Sequence, residues 1–186
     1  MKLKNDLLLY HGSYAKIEKI DLSKCVQGKD FGTGFYLTTD YEQSKKFIHT
    51  SVAKAIKSKI ILENQNIGFI NVFKFSKKAD IKIFEFQNAN KKWLHFVAAN
   101  RQSGIFNEEI KKYQNFDIIF GKIANDLTNR IITAYINETY GKIESDMADK
   151  TTINLLLPNK LKNQICFRTE KSISCLSFER AEEIKL

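Results

Sequence analysis

An α+β fold is expected for this chain, and three observations carry the expectation. Apolar runs of strand length and stretches of helical period are mixed without a regular strand–helix–strand alternation. No G-x-G-x-x-G follows the first apolar run, so a doubly wound dinucleotide fold is not indicated. A 43% hydrophobic content with 12% aromatics over 186 residues is enough to bury a core. A single domain over 1–186 is expected, since the chain has one proline, eight glycines and no linker-like segment.

The elements follow in order. Residues 7–10 (LLLY) read as a buried strand running into His11, and 35–37 (FYL) as a short strand after a glycine-rich turn. Asp40-x-x-Gln43 resembles a capping box, and Phe47, Ile48, Val52 and Ile56 then recur at helical spacing, predicting a helix over about 41–57 with its lysines outward. Residues 67–75 (IGFINVFKF) and 81–86 (IKIFEF) alternate as strands, linked by 76–80. Asn90 suits the cap of a helix presenting Trp93, Leu94, Val97 and Ala98. Residues 116–120 (FDIIF) read as a strand ended by Gly121, and Asn125 or Asp126 as the cap of a helix carrying Leu127, Ile131 and Tyr135. A further helix should stop in the Leu155-Leu156-Leu157-Pro158 stretch, because proline cannot easily continue it. Residues 164–167 (QICF) and 175–178 (CLSF) read as the last strands.

Composition narrows the function. The net charge of +9 favours contact with polyanions, yet the lysines are scattered and no nucleic-acid motif accompanies them, so a solvated basic surface explains them better than dedicated nucleic-acid binding. Cys25, Cys166 and Cys175 lack C-x-x-C spacing and read as reduced thiols. The opening MKLKNDLLLYHG is too short in apolar residues for a signal-peptide core, and no run approaches the roughly 18 of a membrane span. A cytoplasmic setting without membrane contact is expected. His49 and His95 have no acidic or cysteine partners at ligand spacing, so both read as structural and no metal is expected.

The chemistry concentrates in two stretches. Gly12, beside His11, lets a ligand approach the backbone, whose N–H and C=O are fixed hydrogen-bonding groups. Gly32 and Gly34 clear space near Tyr36, whose ring offers a stacking face. A neutral histidine can hydrogen-bond a ribose hydroxyl. Singly, each feature is explained by turns and packing; together they suggest a nucleotide pocket.

In these residues the sequence resembles the ADP-ribosyltransferase superfamily, in the His-Tyr-(Glu/Gln) branch shared by diphtheria toxin and the poly(ADP-ribose) polymerases. Leu9-Tyr10-His11-Gly12-Ser13 is similar to its L-x-H-G-[ST] motif, and 31–37 (FGTGFYL) to its F-G-x-G-[IF]-Y-[FL] motif. Ser44 and Phe47 stand eight and eleven residues after the tyrosine, where that pattern has a serine and an aromatic. Asn163-Gln164-Ile165-Cys166-Phe167 resembles its N-E-[YF]-x-[VI]-[YF] strand, with Gln164 where the catalytic glutamate usually sits. The segment between, with Asn100-Arg101 and 116–126, is similar to small bacterial members, some of which occur in toxin–antitoxin or phage-defence loci.

The resemblance implies a split mixed sheet, two small packed sheets flanked by helices, and NAD as co-substrate without a metal. It implies catalytic roles for His11, Tyr36 and Gln164, and cofactor contacts from His11, Gly12, Ser13, Gly34, Phe35, Tyr36, Ser44 and Phe47. His11 would hold the adenosine-side ribose, and the Gly12 backbone and Ser44 the nicotinamide carboxamide. Tyr36 and Phe47 would sandwich the nicotinamide ring, and Gln164 would contact the nicotinamide ribose. Breaking the glycosidic bond builds positive charge on that ribose, which positioning and an aimed acceptor both favour. A glutamine supplies a dipole and cannot take a proton, so transfer of a single ADP-ribose unit is expected rather than chain building.

The acceptor would be a protein or nucleic acid, with an antitoxin or inhibitor protein as a further partner. NAD glycohydrolysis, or NAD or ADP-ribose binding without turnover, are the competing readings. Cys166 should share a strand face with Gln164, and Arg168 and Glu170 fall where acceptor-recognition loops occur in the superfamily.

Overall fold

A computed structural model describes residues 3–122, 126–157 and 161–186. The protein is α+β, with two small sheets and, among the described residues, seven strands and six α-helices. The chain folds as two compact units, one of 3–21, 36–80 and 170–186, the other built from 22–35 and 81–169.

In the first unit, β1 (Leu7–Ser13), β3 (Ile67–Phe75) and β7 (Leu176–Lys185) form an antiparallel sheet in the order β1-β3-β7. Helix α1 (Tyr41–Lys57) lies on one face, burying Ile48 and Val52 against Ile70 and Val72. Its start follows the expected chemistry, with the Asp40 carboxylate accepting the Gln43 N–H at 2.8 Å. The reciprocal half of the capping box is relayed: the Asp40 N–H donates to the Thr38 hydroxyl at 3.1 Å, which donates to Gln43 Oε1 at 3.3 Å. Two glycines let the helix approach, since a Cβ on Gly12 would fall 2.1 Å from the Ser44 carbonyl oxygen and one on Gly68 2.1 Å from Ile48 Cγ2.

The second sheet has the order β2-β6-β5-β4, from β2 (Phe35–Leu37), β6 (Asn163–Phe167), β5 (Ile118–Lys122) and β4 (Ile83–Glu85). It is mixed, for β5 runs antiparallel to β6 and parallel to β4. The core of the second unit is helix α2 (Lys91–Arg101), capped by Asn90, in which every residue from Trp93 to Ala99 is buried. Phe31 and Phe86 stack on its Phe96 and on each other, and the Trp93 indole N–H donates to the Lys122 carbonyl at 3.1 Å. Helices α4 (Asp126–Ile136) and α5 (Asp146–Leu156) complete this unit with α3 (Asn107–Tyr113). Ser145 caps α5, accepting the Ala148 N–H at 3.2 Å.

Several elements depart from the sequence expectation. The first strand runs on to Ser13, so His11 and Gly12 lie inside β1, paired with Asn71 and Ile70. Gly121 does not end its strand: it sits within β5, where a Cβ would fall 2.8 Å from Phe86 Cβ. Residues 116 and 117 stay outside β5 because the Asp117 carboxylate accepts the Lys82 N–H at 2.9 Å and the Thr169 hydroxyl at 2.8 Å. The expected 81–86 strand is shortened to Ile83–Glu85, although the Phe86 N–H still donates to the Phe120 carbonyl at 2.8 Å.

The expected 175–178 strand is instead the ten-residue β7, whose charged tail is held by its ladder with β3 and bulges at Glu179. Helix α3 and the short α6 (Glu170–Ile173) were not foreseen. The cap expected at Asn125, the Leu127 side chain and the stop at Pro158 lie outside what is described; α5 ends at Leu156, with Leu157 in the left-handed region at φ 46°.

Candidate functional site

Within the first unit, β1, β2 and α1 gather six of the sequence-predicted residues. Tyr10 and Thr38 form an isolated antiparallel bridge, with N–H to carbonyl distances of 2.8 and 3.0 Å. Continued by two residues, that register would pair Gly12 with Tyr36. The strands part instead, and the Tyr36 carbonyl accepts a hydrogen bond from His11 Nδ1 at 2.8 Å. A carbonyl only accepts, so His11 carries its proton on Nδ1 and Nε2 is the acceptor nitrogen. Burial pushes the imidazole below the ordinary histidine value, and the Tyr36 bond offsets part of that shift.

Alternate residues of an antiparallel strand turn their N–H and C=O to opposite edges. Gly12 therefore shares the outer edge with Tyr10, away from β3 and past the point where the bridge stops. Its missing side chain is needed by α1 rather than by a ligand, while its backbone edge is what a ligand would meet. One turn into α1, the Ser44 hydroxyl is buried and has no hydrogen-bond partner. An unsatisfied buried hydroxyl costs about 1–3 kcal/mol, and the residue that carries it sets its backbone carbonyl against Gly12. Phe47, three residues on, is 46% exposed despite its size. Ser13 is buried, and its hydroxyl accepts the Ala15 N–H at 3.2 Å, closing a local turn.

Within the second unit, Gln164 is buried on β6, and its Nε2 donates to Asp30 Oδ2 at 2.8 Å. The other Asp30 oxygen accepts Arg101 Nε at 2.9 Å and Nη2 at 2.6 Å, and Arg101 Nη1 donates to Asn129 Oδ1 at 2.7 Å. Phe35 is buried, and Gly34 abuts β6, where a Cβ would fall 2.6 Å from Cys166 Sγ and from the Phe167 carbonyl oxygen. Gly34 thus serves packing rather than clearing room for Tyr36, and Cys166 is a fully buried packing thiol. Gly32 has φ +83°, a left-handed conformation that glycine alone adopts without strain.

Sequence reasoning missed Asp30 and gave Arg101 no role beyond the resemblance of its segment. The only signal was position, with Asp30 immediately before the Phe31-Gly32-Thr33-Gly34 turn. Arg101 also lines a cleft of about 650 Å³ with Gly32, Thr33, Asn100, Gln114 and Arg168. Arg168 donates to the Tyr113 and Phe116 carbonyls at 2.7 and 3.3 Å, which fixes the loop before β5. Glu170 opens α6. His49 is exposed, whereas His95 is buried, with Nε2 2.9 Å from Asp149 Oδ1 and its ring stacked on Phe106. Asp149 also accepts the Tyr135 hydroxyl at 2.6 Å and faces Lys91 Nζ at 2.9 Å. Among the described residues, no group of three or more His, Cys, Asp or Glu could hold a metal ion, and no helix is long and apolar enough to cross a membrane.

Residues 7–178 match the family described as "Protein of unknown function (DUF3990)". The chain belongs to that family. The DUF3990 match contains every residue of the His11–Ser44 group and of the Gln164–Asp30–Arg101 network. No curated protein matches the chain.

Proposed function

We propose that this chain is an NAD-dependent mono-ADP-ribosyltransferase with the fold of the His-Tyr-(Glu/Gln) branch, acting in the cytoplasm on a protein or nucleic acid. The observation that carries the reading is the buried, unpartnered Ser44 hydroxyl on the helix whose backbone packs on Gly12, a glycine whose backbone edge is turned outward where the Tyr10–Thr38 bridge stops. A carboxamide offers both donors and an acceptor, and so fits a hydroxyl beside a backbone N–H and C=O. The fit extends to Phe47, an exposed aromatic on the same helix, and to His11, whose ring is oriented by its bond to the Tyr36 carbonyl.

When bound, NAD supplies a glycosidic bond whose cleavage releases neutral nicotinamide, with the acceptor nucleophile joining the ribose carbon and losing its proton to solvent. The residues of the chain hold and orient. The resemblance assigns the carboxamide to Gly12 and Ser44, the ring to Tyr36 and Phe47, a ribose hydroxyl to His11 and the nicotinamide ribose to Gln164.

Incubation with NAD labelled in the adenylate, in the presence of a cell lysate, tests this reading. Nicotinamide release with label entering macromolecules is the expected result. Label found only as free ADP-ribose makes the protein a glycohydrolase, and binding without release makes it a binding module. Absence of NAD binding overturns the reading.

A further inference from the structure

We propose that Asp30 is a positioning residue, which with Arg101 fixes the orientation of the Gln164 amide. The proposal rests on the ADP-ribosyltransferase reading for its catalytic meaning. Its geometry lies wholly within the second unit.

A glutamine amide has a donor end and an acceptor end of nearly the same shape, so an unconstrained amide presents either to a ligand. A carboxylate only accepts. With Asp30 Oδ2 2.8 Å from Nε2, the amide nitrogen is held inward and Oε1 is turned away from the carboxylate. Arg101 keeps the carboxylate in place by donating twice to its other oxygen, and Asn129 occupies the remaining arm of the guanidinium. The three side chains are almost entirely buried, 13% exposed for Arg101 and 9% for Asp30, with Gln164 at 7% overall, so each bond forms in a medium that strengthens it.

The arrangement also explains why a glutamine stands at 164. A glutamate there would set two carboxylates at hydrogen-bonding distance, with the guanidinium on the far oxygen of Asp30. Like charges that close cannot both stay ionised, and the pair would share a proton. Asp30 and Gln164 are therefore a matched choice, a carboxylate acceptor facing an amide donor.

A cycle of variants tests the proposal by steady-state nicotinamide release and by thermal unfolding. Asp30→Asn keeps the volume but lets the facing amides pair either way round. It should lower kcat by about ten-fold or more, as misorientation at a reacting centre does, while KM for NAD changes little. Gln164→Glu should be slow at neutral pH, with a pH profile displaced by the shared proton. The double variant Asp30→Asn/Gln164→Glu restores the bond with donor and acceptor exchanged, and should turn over about ten-fold faster than Gln164→Glu alone. A double variant no faster than that single one, or Asp30→Asn with parental kcat, overturns the proposal. If the parent protein releases no nicotinamide at all, the functional reading fails instead, and the clamp is judged on melting temperature. Recovery in the double variant of stability lost in the single ones supports it, and strictly additive losses overturn it.

Discussion

Gly12 lies so close to Ser44 that a Cβ on the glycine would fall 2.1 Å from the serine carbonyl oxygen and 3.2 Å from Ile48 Cγ1. The neighbour it would meet is helix backbone, which cannot swing aside as a side-chain tip can. Gly12→Ala should therefore push α1 off β1 and destabilise the protein by about 1–3 kcal/mol, the usual range for overpacking. Chemical denaturation measures this; a loss below about 0.5 kcal/mol would mean the helix shifts freely.

Ser44→Ala separates stability from binding. The hydroxyl is buried and unpaired, so its removal should leave stability unchanged or raise it, by up to about 1 kcal/mol. The same change should weaken NAD binding about five-fold, the worth of one hydrogen bond. Titration calorimetry and a melting curve on one preparation decide the matter. Lost stability would show that the hydroxyl is structurally engaged.

Phe47 is half-exposed on α1 and contributes little to the core. Phe47→Ala should stay within about 0.5 kcal/mol of parental stability, yet reduce NAD affinity by roughly 1 kcal/mol through loss of a stacking face. Unchanged affinity would remove this ring from the pocket.

Asp149 sets an acid limit on stability. Burial by itself would raise its pKa, but hydrogen bonds from Tyr135, Lys91 and His95 outweigh it and hold the carboxyl below the ordinary aspartate value of 3.8. A carboxyl with a lowered folded pKa stabilises fully above its unfolded value, and that stabilisation is lost as pH falls through the folded one. Unfolding free energy should therefore be insensitive to this group above about pH 5 and drop below pH 4. Asp149→Ala, which strands buried partners, should cost about 3–5 kcal/mol at pH 7 and flatten that acid limb. An unaltered acid limb in the variant would assign it to other carboxyls.

Local chemistry determined much of this fold before any coordinates. Asp40 and Asn90 announced α1 and α2 because a side-chain oxygen at an N-cap satisfies backbone donors two or three residues away. The motif stretches around His11 and Tyr36 announced β1 and β2, since apolar runs and turn glycines act at short range. What tertiary structure alone decided was anything whose energy comes from a distant partner. β7 is a strand despite its charges because its backbone bonds to β3, about a hundred residues away. Gly121 stays in β5 because Phe86 occupies the space of a side chain. Gln164 could be singled out from its motif, but Asp30, 134 residues before it, became its partner only when folding removed both from water and left each polar group to find the other.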